Sequence, residues 1–142
     1  MSASDAFENA AALLFFNATA WANVADNAAS SPFTLWYLSL HTADPGDAGS
    51  QTTSEIGYTS YARKSVARTS GGFTVTGGNT VLAANQDFVA GTGGSGTATH
   101  LGLGSATSGT GILEMSGTLT PNIVTGNGVT PRATTATAFD IS

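Results

Sequence analysis

The sequence predicts a mainly β fold: a compact antiparallel β-sandwich or jelly-roll-like barrel with one N-terminal helix. Two observations carry that expectation. Apolar residues recur at helical spacing only before Pro32, and from there the period becomes that of strands. Beyond Pro32, short runs rich in Thr, Val, Phe and Leu are broken at regular intervals by Gly, Pro and Asn, the punctuation of sandwiches and barrels. A third observation concerns the surface. Charged residues make up 9% of the chain, against roughly 25% in ordinary soluble domains. A chain this poor in charge suits packing against copies of itself or a larger assembly.

The elements follow in order. Ser4 is placed to cap a helix, with Asp5 and Glu8 near the positive end of its dipole. The helix is expected over roughly 4–16, with Phe7, Ala11, Leu14, Ala18, Trp21 and Ala25 sharing one face. Residues 1–31 are thus read as a helical arm and 32–142 as the β domain. Phe33 to His41 is almost continuously apolar, which suits a strand buried on both faces. Asp44-Pro45-Gly46 breaks it, a polar loop runs to Ser60, and a second strand spans Tyr61 to Arg68. Phe73–Thr76 and Thr80–Ala83 flank Gly77-Gly78-Asn79 as a hairpin. Further strands are expected at 86–90, 97–104, 111–119 and 134–141, with turns at Pro121-Asn122, Asn127-Gly128 and Pro131.

Composition excludes several classes of function. A net charge of −5 argues against a dedicated nucleic-acid binder, whose phosphate contacts need clustered Lys and Arg. With no Cys there is no disulfide framework and no thiolate ligand or nucleophile. No apolar run approaches the ~20 residues of a membrane-spanning helix, and no Lys or Arg precedes the first apolar segment, as a secretory signal requires.

The residues that could carry chemistry read more simply as structure. His41 and Asp44 are a strand-end histidine and a turn aspartate that accepts backbone N–H groups. His100 sits among Thr99, Leu101 and Leu103 as a hydrogen-bonded strand residue, and two separated histidines lack metal-ligand spacing. Gly91, Gly93 and Gly96 satisfy a GxGxxG pattern, but a strand follows where a dinucleotide site needs a helix. No nucleophile elbow is present, and the scattered acids make a poor glycan-cleaving pair. The chain is therefore expected not to be an enzyme and to need no cofactor or metal.

Three of the four cationic residues, Arg63, Lys64 and Arg68, lie in the strand after the polar loop. Strand alternation turns Arg63 away from the other two, so they do not form one patch. They read as solvated or edge-protecting charges, or as contacts to an acidic neighbour. Phe15, Phe16, Trp21 and Trp36 are the candidate aromatic anchors of an interface, because large aromatics dominate interface energetics.

Several stretches together carry a resemblance. Ser4-Asp5-Ala6-Phe7-Glu8-Asn9-Ala10 opens the chain, and Leu35 to Gly49, LWYLSLHTADPGDAG, follows. Tyr61-Ala62-Arg63, Ala98-Thr99-His100-Leu101-Gly102-Leu103-Gly104 and Gly111 to Leu119, GILEMSGTL, complete the order. This order resembles a family of small tailed-bacteriophage virion proteins labelled tail fibre proteins and similar to capsid decoration proteins. Residues 15–31 are longer and richer in Ala and Asn than that family's connector, as an added contact arm would be.

The resemblance implies a virion structural protein, assembled in the host cytoplasm, that acts by binding. The first expectation is a homotrimeric capsid decoration (cement) protein clamping the major capsid protein shell. The alternative is a tail fibre or tail-tip component bound to tail proteins. A carbohydrate-binding β-domain is a further alternative, but it calls for an exposed aromatic platform, and most aromatics here lie in runs that look buried.

Overall fold

A computed structural model describes residues 4–21 and 32–140. The chain is mainly β, with one N-terminal helix and several antiparallel sheets, in keeping with the β-sandwich class. It forms two compact units, each assembled from separated stretches of chain.

The first unit holds the described residues up to Leu35, together with 67–85 and 134–140. Helix α1 spans Asp5–Asn17, and the Ser4 side chain accepts a hydrogen bond from the Phe7 amide at 3.3 Å. The helix ends where Ala18 turns left-handed (φ 52°) and Thr19 N–H reaches back to the Leu13 carbonyl at 3.1 Å. Its buried residues are Ala12 and Phe16, so the core-facing side is rotated away from the expected Phe7/Ala11/Leu14 stripe. Phe7 is instead 50% exposed and meets Trp21 edge-to-face at 5.2 Å. Both stripes are apolar in this Ala-rich helix, so spacing alone does not choose between them. Ala25 lies outside the described residues, as does the expected contact arm from position 22 to 31.

The helix packs on a three-stranded sheet ordered β3-β4-β9, with β3 at Phe73–Thr76, β4 at Asn79–Leu82 and β9 at Ala138–Asp140. Phe73 pairs with Leu82 and Thr76 with Asn79, leaving Gly77-Gly78 as a two-residue turn with positive φ at both glycines. Gly78 lies directly under the helix, where a Cβ would sit 3.1 Å from the Cβ of Glu8. Phe16 rests between Phe73 and Phe139, at centroid distances of 5.1 and 5.8 Å, and closes this small core.

The second unit holds 36–66 and 86–133. Its main sheet is ordered β2-β1-β6-β7: β1 at Leu35–His41, β2 at Lys64–Ala67, β6 at Ser95–Gly104 and β7 at Leu113–Gly126. The strands β5 (Gln86–Asp87) and β8 (Arg132–Ala133) form a separate short pair. β1 and β6 are antiparallel, with Leu38 opposite Leu103 and Leu40 opposite Leu101, four buried leucines on one face. The opposite face presents Ser39 and His41 beside Gly102, so both faces of β1 are covered from Leu38 to His41, as its continuous apolar run predicts, while Leu35 at its start is exposed.

One expectation fails at Pro121-Asn122. The chain does not turn there; β7 continues for 14 residues. Its pairing does break, because His100 faces Thr118 while Ala98 faces Ile123, so residues 119–122 stand against Thr99 alone. An edge strand tolerates a proline, whose missing N–H costs no ladder bond on the open side.

Candidate functional site

The polar loop after β1 is the most elaborated part of the second unit, and it is held by three sets of buried side chains. The first is built on β1 itself. His41 Nδ1–H donates to the Thr53 carbonyl at 2.8 Å, and Ser39 Oγ–H donates to His41 Nε2 at 2.8 Å. Both residues are fully buried. A carbonyl can only accept, so the proton of the neutral ring sits on Nδ1. Gly102 leaves the space this pair occupies: a Cβ there would lie 2.6 Å from His41 Nε2 and 2.7 Å from Ser39 Oγ.

The second set centres on Gln51, also fully buried. Its backbone N–H donates to the Thr110 carbonyl at 3.0 Å, and its side-chain oxygen accepts the Ala106 amide at 2.9 Å. A Cβ at Gly104 or Gly111 would overlap the Gln51 side chain. The glycines of the Leu101-Gly102-Leu103-Gly104 stretch thus make room for the loop to lie on the sheet.

The third set joins Glu55, Tyr61 and Arg63. Arg63 Nε and Nη2 each donate to a different Glu55 carboxylate oxygen at 2.7 Å. Nη1 donates to the Ala106 carbonyl at 3.0 Å, and Nη2 also donates to that of Gly109 at 2.7 Å. Tyr61 O–H donates to Glu55 Oε1 at 2.9 Å and accepts the Leu40 amide at 3.1 Å. The side chains of Arg63 and Glu55 are 3% and 15% exposed. The Glu55 hydrogen bond raises the Arg63 pKa, and burial pushes that of the Tyr61 hydroxyl up. One guanidinium therefore fastens the segment 105–111 to the loop 42–60, using the planar fork that lysine lacks.

At the loop tip Asp44 accepts the Gly46 amide at 2.9 Å, the turn chemistry that Asp-Pro-Gly predicts. His100 meets Thr99 Oγ1 at 2.9 Å and Thr118 Oγ1 at 3.4 Å, a hydrogen-bonded strand histidine. Gly91 and Gly93 precede β6 and Gly96 is its second residue, so a strand and not a helix follows.

The remaining candidate interface residues are divided between the units. Trp36 is buried at the start of β1, and Lys64 is half-buried at the first position of β2. In the first unit Phe16 is buried, Phe15 is half-buried edge-to-face against it at 4.8 Å, and Trp21 is half-buried against Phe7. Arg68 donates to the Phe15 and Leu14 carbonyls at 2.6 Å each, placing a cation at the helix C-terminus. Sequence reasoning passed over Glu55, Gln51 and Ser39. Glu55 meets Tyr61 and Arg63 beyond the loop, and Gln51 meets Ala106 and Thr110 of a distant one, contacts no spacing rule reaches. Ser39 meets His41 two residues along the same strand, where period-two spacing could have paired them.

Burial of His41 lowers its pKa below the ordinary 6.5, and the hydrogen bond to Thr53 and the charge of Glu55 only partly offset that effect. Arg63 and His100 also face the ring and lower it further. The native ring thus takes up its proton at a lower pH than the unfolded chain, which does so as pH falls through ~6.5. Stability from this site is therefore complete above that pH and declines below it, by at most about 1.4 kcal/mol per pH unit. The urea midpoint is expected to fall between pH 7.5 and 5.5, more steeply than in His41→Gln; equal slopes would refute the assignment.

Buried polar latches, glycines that admit a loop onto a sheet and sparse surface charge together describe a structural β-module. The chain belongs to the phage fibre family described as podophage GP4 fiber I protein gp80, whose model matches residues 2–138. No curated protein matches it. It is accordingly a phage fibre structural protein and a virion component that associates with other virion proteins.

Proposed function

We propose that the chain is a non-enzymatic fibre subunit that holds neighbouring tail proteins through the surface formed by loops 42–60 and 105–112. The observation that carries this reading is the Arg63 latch, a buried guanidinium with four donor contacts that ties the two loops together. A loop fixed before binding loses less conformational freedom on contact, so a modest surface can bind usefully. Repetition around an assembly then multiplies weak contacts. Ile112, 62% exposed, offers apolar area beside otherwise polar residues.

Family membership favours this fibre reading over the capsid decoration expected first from the sequence. Copy number and position in purified virions test it. Gold-labelled antibody is expected on the tail or its fibres, at a small fraction of the copies of the major capsid protein. Labelling spread over the shell, at copy numbers comparable with that protein, would overturn the proposal and restore decoration.

A further inference from the structure

The two edges of the main sheet of the second unit are built differently. At one edge, β2 has only four residues, starts at Lys64 and lies between Arg63 and Arg68. The β1 edge beyond it is covered by the loop, with Ile56 N–H donating to the Leu40 carbonyl and Thr42 N–H to that of Ser54. Short length and flanking charge are the ordinary protections of an edge strand. β7, at the other edge, has neither, and its proline and the register shift around it stand beyond Thr118. It runs for 14 residues with one charged side chain, Glu114, and among the described residues no strand pairs with its outer side.

The side chains of β7 tell the same story. Leu113, Met115, Leu119 and Ile123 are half-buried, and Val124 is 67% exposed. They do not form one row: Met115 and Val124 share the face of Leu101 and Leu103, while Leu113 and Ile123 lie on the opposite face, so this edge carries apolar side chains on both sides. A long, nearly uncharged edge of this kind is a template for strand addition.

We propose that the strand added to β7 is the β7 of a second copy, paired antiparallel about a two-fold axis at Gly117. An isologous contact requires a strand that complements itself, and this one does. In that register Met115 lies opposite the partner's Leu119, an apolar pair on one face, and Ser116 lies opposite the partner's Thr118, a hydroxyl pair on the other. Gly117 falls on the axis, and a Cβ there would meet nothing within 4 Å in its own chain. Glu114 falls at the register shift before Met115, outside the regular stretch 115–118, so the only charge on the strand is not set against its own copy. The two sheets become one, running β2-β1-β6-β7 and back through the partner in reverse order. This contact is separate from the loop surface proposed above and stands whether or not the chain sits in a fibre.

Light scattering after size exclusion, on the full chain, tests it. The wild type is expected to run as a dimer. A Ser116→Lys/Thr118→Lys variant, which sets like charges opposite each other at exposed positions, should halve the mass and keep the circular dichroism of the wild type. The same experiment with Ser116→Glu/Thr118→Glu should also give monomers, and mixing the two variants should restore dimers. Thr135→Lys, exposed in the first unit, should leave the dimer intact. Hydrogen exchange on the unsubstituted chain reads the contact without any variant: amides at 115–119 should be protected more strongly as concentration rises. A wild-type monomer or trimer, a lysine variant of undiminished mass, or exchange independent of concentration would each overturn the pairing.

Discussion

Replacing Arg63 by methionine is expected to destabilise the protein by about 3–5 kcal/mol, because it removes one partner of a buried ion pair and leaves the other behind. Glu55, 15% exposed, would be left with Tyr61 as its remaining side-chain donor. The carbonyls of Ala106 and Gly109 would lose their guanidinium donors at the same time. Methionine fills much of the volume, so the loss reflects unmatched polarity more than a cavity. Arg63→Lys should recover only part of it, since one ammonium cannot span two carboxylate oxygens and two carbonyls. Adding Glu55→Leu to Arg63→Met should restore stability relative to Arg63→Met alone, the coupling expected of groups that act as a unit. The exposed pair Arg132–Asp87, with side chains 54% and 45% exposed, supplies the contrast. Breaking it by Arg132→Met should leave the urea midpoint close to that of the wild type. Equal midpoints for Arg63→Met and the wild type would refute the latch and return Arg63 to the surface.

The alternation of apolar and punctuating residues was sufficient for fold class and for most strands, since period and turn chemistry are local signals. The helix was found to within a residue of its end, because Ser4, Asp5 and Glu8 mark its start whatever it packs against. Its buried face was not found. Ala12 and Phe16 compete with Phe7, Ala11 and Leu14 in a segment apolar on several sides, and only the position of Phe73 and Phe139 decides between them. The sheet through Pro121 was missed for a similar reason. Proline signals a turn on local grounds, but an edge position removes the penalty for its missing N–H.

The site was less legible than the fold. Tyr61-Ala62-Arg63 stands out in the sequence, but as a basic strand it reads as a surface. What converts Arg63 into an internal fastener is Glu55, eight residues back across a loop whose path no periodicity describes. Gly102 and Gly104 look like flexible punctuation inside a strand. They are instead places where side chains of the loop and β1 need the volume of a Cβ.

Phe16→Ala is expected to cost about 3–5 kcal/mol, the range for truncating a fully buried aromatic. Phe16 is 0% exposed and contacts Phe15, Phe73 and Phe139 at centroid distances from 4.8 to 5.8 Å. In a core formed by one helix and three short strands, few neighbours are available to collapse into the space, so the cavity term should persist. Phe7→Ala gives the comparison, since Phe7 is 50% exposed and has Trp21 as its aromatic neighbour. Its cost should be smaller by about 2 kcal/mol or more, on the scale set by the area each ring removes from water. Thermal melts of the two variants, followed by near-ultraviolet circular dichroism, separate the cases. Phe16→Ala should lower the melting temperature well below that of Phe7→Ala. If the order is reversed, the helix meets the sheet through the Phe7 face that its spacing first suggested, and Phe16 becomes available as an interface anchor.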